Sequence, residues 1–194
     1  MSPAAPEDRP EQWPVHEVER IWQGGAPFSV RRDLISAPAG PGERFGRLVL
    51  EHPGAVVVLA VDDAERALVL EQYRHPVGAR LVELPAGLLD EPGEDPLEAA
   101  VRELREEGLL LAERWTRLLS TYSSPGLSSE RITYFLAEGL AAAPDRGGFE
   151  PEHEEADMTT AWVPVADLLA GVLAGRFADG TLAQAVMAYT LRRC

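Results

Sequence analysis

At 194 residues, 45% of them hydrophobic, the chain can form one domain with a sizeable core and a small N-terminal extension. Its net charge of −14 argues against nucleic acid and anionic membranes as partners, and a phosphate-bearing ligand would need cations or placed arginines to offset that field. Cys194 is the only cysteine, so an internal disulfide framework is excluded; with no signal-peptide pattern and no apolar run near the roughly 18 residues of a membrane span, the expectation is a soluble cytoplasmic protein.

Residues 1–14, rich in proline and charge, read as a disordered arm. Residues 15–52 contain the strand-like runs "HEVERIWQG", "FSVRRDLI" and "ERFGRLVLEH" between Gly/Pro turns, an antiparallel strand region. In "AVVVLAVDDAERALVLEQYR" two apolar runs flank "DDAE", which predicts a hairpin. The unbroken Val/Leu pattern predicts burial on both faces. "ARLVELPAG" follows as another strand. A helix comes next, with Asp95 as N-cap, Pro96 at its first position, Glu98 completing a capping box and Gly108 as the stop. Beyond it lie strand-like "WTRLLSTYSS" and "RITYFLAEGL", the acidic loop "GGFEPEHEEADM", strand-like "TTAWVPV" and two helical patterns, "ADLLAGVLAG" and "GTLAQAVMAYTLRR". Strands and helices interspersed in this way predict an α/β domain of the mixed α+β kind over 53–194, a mixed sheet between helices.

On the predicted helix, about 100° per residue places Leu97, Val101 and Leu104 on one stripe, with Ala100 at its edge. Glu103 and Glu107 then flank the stripe on the Ala100 side, and Glu106 sits further round. A glutamate-rich helix is ordinarily a solvated face. Here the carboxylates border the packed side, and "LPAG" delivers a strand end with exposed carbonyls just before them. Oxygen donors so arranged suit Mg²⁺, which takes one or two carboxylates together with phosphate oxygens and water. An EF-hand is excluded, because "DEPGEDPLEAA" lacks alternating Asp/Asn ligands around its glycine.

The segment from Gly87 onward resembles the Nudix box, G-x5-E-x7-R-E-U-x-E-E-x-G-U, where U is aliphatic. Gly87, Glu94, Arg102, Glu103, Leu104, Glu106 and Glu107 stand in its order. Two departures occur: six residues rather than five separate Gly87 from Glu94, and Leu109 occupies the position of the closing glycine. The resemblance implies a Nudix-type αβα sandwich, with Glu94 and Arg102 pairing to hold loop against helix. It also implies that Glu103, Glu106 and Glu107, with the Ala86 carbonyl, ligate Mg²⁺, Mn²⁺ being an alternative. The reaction implied is hydrolysis of a nucleoside diphosphate linked to another group.

Outside the box the chain resembles the ADP-ribose pyrophosphatase branch from about Arg47 onward, through "RLVLEHPGAVVVLA", "LEQYRHPVGARLVELPAGLLD", "SSPGLSSE" and "HEEADM". That likeness implies substrate contacts for Arg47, Arg74, Glu130 and Pro125. It also implies a general base on the loop before the last strand, Glu154 or Glu155, with Glu152 as a third candidate. A homodimer with exchanged strands from 15–52 is expected, as is cleavage of ADP-ribose to AMP and ribose 5-phosphate. The alternatives are another nucleoside diphosphate sugar or a dinucleotide as substrate, or a non-catalytic nucleotide-binding regulator.

Overall fold

The computed structural model describes residues 5–24, 27–38, 42–91, 93–151, 153 and 155–193. Glu152, Glu154 and Cys194 lie outside the described residues, as does the side chain of Glu155. The chain divides into two compact units, one of residues 1–52 and 124–129, the other of 53–123 and 130–194. No helix among the described residues is long and apolar enough to cross a membrane.

In the first unit, β1 (Val15–Gln23), β2 (Ser29–Ile35) and β3 (Phe45–Glu51) form an antiparallel sheet in that order. Arg31 joins its strands by pairing with Asp33 (2.9 Å) and with Glu51 on β3. Beyond β3, the Leu50 amide donates to the Leu127 carbonyl (2.9 Å) and Ser129 returns a bond to the Leu50 carbonyl (3.0 Å). Every residue of β1 is exposed, Val18, Ile21 and Trp22 included.

The second unit contains β4 (Ala55–Ala60), β5 (Arg66–Arg74), β6 (Ala79–Glu83), β7 (Ala86–Leu88), α1 (Pro96–Gly108), β8 (Leu110–Tyr122), β9 (Arg131–Ala142), β10 (Thr159–Pro164), α2 (Val165–Leu173) and α3 (Gly180–Arg192). One sheet is mixed, in the order β7-β4-β9-β8, and a second, antiparallel, has the order β10-β5-β6. The mixed character arises from parallel pairing of β4 with β9, Ala55 through Ala60 against Ile132 through Ala137. Burial of β4 on both faces follows the two-residue period of a strand. Val57 and Leu59 pack with Leu182, Ala185 and Val186 of α3, while Val56, Val58 and Ala60 pack with Ala99, Ala100 and Leu104 of α1. The expected mixed sheet between helices is therefore present.

Three local expectations change. The hairpin across "DDAE" exists only at its tip, where Val61 bridges Ala67 and the Asp62 amide bonds the Arg66 carbonyl (2.9 Å). Its arms then part into different sheets. The buried face of α1 is Ala99, Ala100, Glu103, Leu104 and Glu107, whereas Leu97 and Val101 are exposed. Large aliphatic residues misplaced the stripe; the two alanines mark the side that packs on β4. Finally, Gly108 remains helical, and Leu109 takes the left-handed cap at φ +52°, donating to the Arg105 and Leu104 carbonyls. That conformation costs a non-glycine residue roughly 1 kcal/mol. A Cβ on Gly108 would stand 2.9 Å from Leu68 Cδ2, so this glycine serves close packing and not the cap.

Candidate active site

The site forms where β7 meets α1. The capping box sets the helix start: the Leu97 amide donates to Asp95 (2.8 Å), and the Asp95 amide donates to Glu98 (3.4 Å). Just upstream, the Glu94 amide bonds the Glu91 carbonyl (3.2 Å) and Gly93 takes φ +83°. This turn absorbs the extra loop residue and brings the Glu94 carboxylate to Arg102.

Arg102 is the hub. Its Nε and Nη2 donate to the two Glu94 oxygens (3.1 and 3.2 Å), and Nη2 also reaches the Leu88 carbonyl (3.4 Å). Its Nη1 donates to Glu103 (2.6 Å) and Glu106 (3.2 Å). The Glu94 hydrogen bond, with the charges of Glu103 and Glu94, keeps this guanidinium protonated well beyond its ordinary range. One planar fork thus holds loop, strand end and helix together.

Glu103 and Glu107 are 7% and 8% exposed, values rare for carboxylates and costly unless partnered. Glu107 accepts from the Ala86 amide (2.8 Å), which ties the helix to the first residue of β7. Glu103 lies over Gly87, where any Cβ would collide with its carboxylate; this close approach requires the glycine. Burial pushes the Glu103 carboxyl up to about 7, Arg102 opposing the shift and Glu106 adding to it. Among the described residues no three acidic, imidazole or thiol groups are drawn into a closed cage. Glu103, Glu106 and Glu107 are nonetheless hard oxygen donors within little more than one helical turn. A carboxylate held near 7 by burial is one that a divalent cation would ionise, so the donor set fits Mg²⁺ or Mn²⁺.

Arg74, at the end of β5, is held by buried Glu83 of β6, with Nε 2.8 Å and 3.1 Å from its two oxygens. The Glu83 hydrogen bond raises the Arg74 pKa, with smaller contributions from Glu107 and Asp179, so this guanidinium lies within the field of the helix carboxylates. Glu83 and Asp179 were not singled out in the sequence; the "VE" before "LPAG" was the available signal for Glu83. Glu130 begins β9's approach, its carbonyl accepting from the Ser123 amide (3.2 Å), and its charge reaches Tyr134. Tyr134 donates to Gln184 (3.2 Å), which also accepts from Thr121 (2.8 Å). Arg47 lies on β3 of the first unit, 4.3 Å above the Phe45 ring, and Pro125 belongs to that unit's 124–129 segment. Glu155 opens the short 3-10 turn Glu155–Asp157 that precedes β10.

The NUDIX domain model matches residues 51–183. The chain belongs to the Nudix family. Nudix hydrolases generally use divalent metal ions. The chain is 44% identical to an ADP-ribose pyrophosphatase of Mycobacterium tuberculosis over 164 residues, covering 84% of this chain and 77% of that protein. It is 41% identical to an ADP-ribose pyrophosphatase of Bacillus subtilis over 105 residues, 54% of this chain and 56% of the other. Among solved structures it resembles an ADP compounds hydrolase with a TM-score of 0.71 at 23% identity, covering 96% of this chain and 95% of that one; this match shows the shared fold.

Proposed function

We propose that this Nudix hydrolase cleaves ADP-ribose with water to AMP and ribose 5-phosphate, acting in the cytoplasm as a homodimer. The observation carrying the chemistry is the approach of Glu103 and Glu107 to the start of β7, through Glu103 over Gly87 and the Ala86–Glu107 bond, with Glu106 joined to Glu103 through Arg102. The substrate class rests on the relatives of that name.

In this reading Glu103, Glu106 and Glu107, with the Ala86 carbonyl, hold Mg²⁺, and Mn²⁺ substitutes. When bound, the cation supplies charge neutralisation for the diphosphate and acidifies water. Arg102 stays on Glu94 and fixes the helix against the loop. Arg74, oriented by Glu83, meets the substrate's negative charge, and Arg47, Pro125 and Glu130 add substrate contacts on the resemblance alone. Glu154 or Glu155 takes a proton from the attacking water. The new P–O bond forms from that water as the bridging P–O bond breaks, and the released oxygen leaves as a phosphate monoester. The exposed strand β1, with Val18, Ile21 and Trp22, supports dimerisation through residues 15–52.

The test is incubation of the purified protein with Mg²⁺ and a panel of ADP-ribose, ADP-glucose, dinucleotides and GDP-mannose, reading AMP or GMP release. Fastest release of AMP from ADP-ribose is expected. Turnover of no panel member would sink the enzyme reading, and faster turnover of another member would sink the substrate.

A further inference from the structure

The segment between β9 and β10 carries the proposed base, and arginines grip both of its ends. At the start, Asp145 accepts from the Gly147 amide (2.8 Å) while Gly147 takes φ +67°, which turns the chain. Arg105 of α1 pairs with the Asp145 carboxylate and donates to its carbonyl (3.3 Å). Arg146 donates the opposite way, to the Glu106 carbonyl. That carbonyl lies in the last turn of α1, where intrahelical donors run out. The loop's beginning is thereby fastened to the stretch of helix that holds Glu106 and Glu107. At the other end, Arg80 of β6 pairs with the Asp157 carboxylate, and its Nη1 donates to the carbonyls of Asp157 (3.2 Å) and Glu71 (3.3 Å). Two residues later β10 is registered on β5, Thr159 against Glu71.

We infer that Arg80 is a positioning residue for hydrolysis: through Asp157 it fixes the Glu155–Asp157 turn, and with it the reach of the loop glutamate. The inference rests on the reading that this loop supplies the base. Stability is a poor account of the arrangement, since both partners are exposed and exposed ion pairs contribute little. What the arrangement does provide is geometry. One guanidinium holds a side chain and two backbone carbonyls, from strand and turn. Holding a base in place matters because misplacement by about 1 Å can cost about 100-fold in rate.

The experiment measures kcat and KM for ADP-ribose with Mg²⁺ in the full chain, with melting temperature as the fold control. Variants are Arg80→Ala, Arg80→Lys, Asp157→Asn and the exchanged pair Arg80→Asp with Asp157→Arg. Glu154→Gln combined with Glu155→Gln is made with and without Arg80→Ala. Arg80→Ala and Asp157→Asn are expected to lower kcat about tenfold with KM within about twofold. Arg80→Lys recovers part of the loss, because lysine keeps the charge without the fork, and the exchanged pair recovers part by restoring the attraction. In the double-Gln background Arg80→Ala should cost nothing further, since there is no base left to misplace. An unchanged kcat in both Arg80→Ala and Asp157→Asn overturns the inference, as does an undiminished tenfold loss in the double-Gln background. Full kcat in the double-Gln protein itself is a separate result: it removes the loop base, and the role of Arg80 with it.

Discussion

Helices α1 and α3 invite comparison, since each has 13 residues, opens on an aspartate cap and covers one face of β4. The α3 side buries apolar residues and a tyrosine: Leu182, Ala185 and Val186 are fully buried, Tyr189 places its hydroxyl on Glu65 (2.8 Å), and half-buried Gln184 takes the Tyr134 hydroxyl (3.2 Å). The α1 side buries Ala99, Ala100 and Leu104 together with two carboxylates, Glu103 and Glu107. The same scaffold therefore supports one face built for cohesion and another that gives up cohesion for charge. Buried carboxylates destabilise unless protonated or partnered; on α1 a strand amide and an arginine partner them.

The largest effect expected from breaking this contrast lies on α1. Glu107→Gln should lower kcat about 100- to 1,000-fold, in line with lost transition-state charge stabilisation, while circular dichroism and melting show an intact fold. Near wild-type turnover would remove Glu107 from the site. The matching change on α3, Leu182→Ala, should cost about 3 kcal/mol of stability by denaturant unfolding and leave kcat of the folded enzyme unchanged. A kcat loss comparable to that of Glu107→Gln would erase the division of labour.

A pH experiment sharpens the comparison. Folding raises the Glu103 pKa from 4.5 to about 7, so the folded state holds that proton more tightly than the unfolded chain. Its stabilising contribution is complete below about pH 4.5 and is lost as pH rises through about 7. In chelator, the melting temperature should therefore fall across that window by an amount that Glu103→Gln abolishes. Added Mg²⁺ should raise melting more at pH 8 than at pH 6, because it competes with the proton for the same oxygens. Equal Mg²⁺ shifts at the two pH values would detach the cation from Glu103. The smallest effect concerns the end of α1: Leu109→Gly should stabilise by about 1 kcal/mol by relieving the left-handed cap. A loss of stability would mean that the Leu109 side chain contributes more than the strain it imposes.

What the sequence made legible was mostly local. Asp95, Pro96 and Glu98 announce a helix start through spacing, and the Glu94–Arg102 pair survives the extra loop residue because a turn at Gly93 absorbs it. The runs around Val57 and Leu68 announced doubly covered strands. Hydrophobic spacing misjudged the face of α1, because helix–strand packing there selects small alanines over Leu97 and Val101. The partners of Arg74 and Arg80 were hidden for another reason. Glu83 and Asp157 are joined to them only by strand register and loop return, which no local period encodes. The exchange of sheets between β4 and β5 was hidden in the same way.

The parallel pairing of β4 with β9 has a consequence for the order of assembly. The carboxylate site closes over short stretches of chain, from Ala86 to Glu107, whereas Ala55 meets Ile132 only across a separation of about 77 residues. Loop-closure entropy makes such distant parallel pairing slow. In refolding, the turn of chain bearing the carboxylates should gain structure in an early phase, and the strand pairing beneath it should set the final rate. Nascent chains released before Ile132 would then carry the charged helix and β4 without β9, leaving the pairing edge of β4 open to other chains.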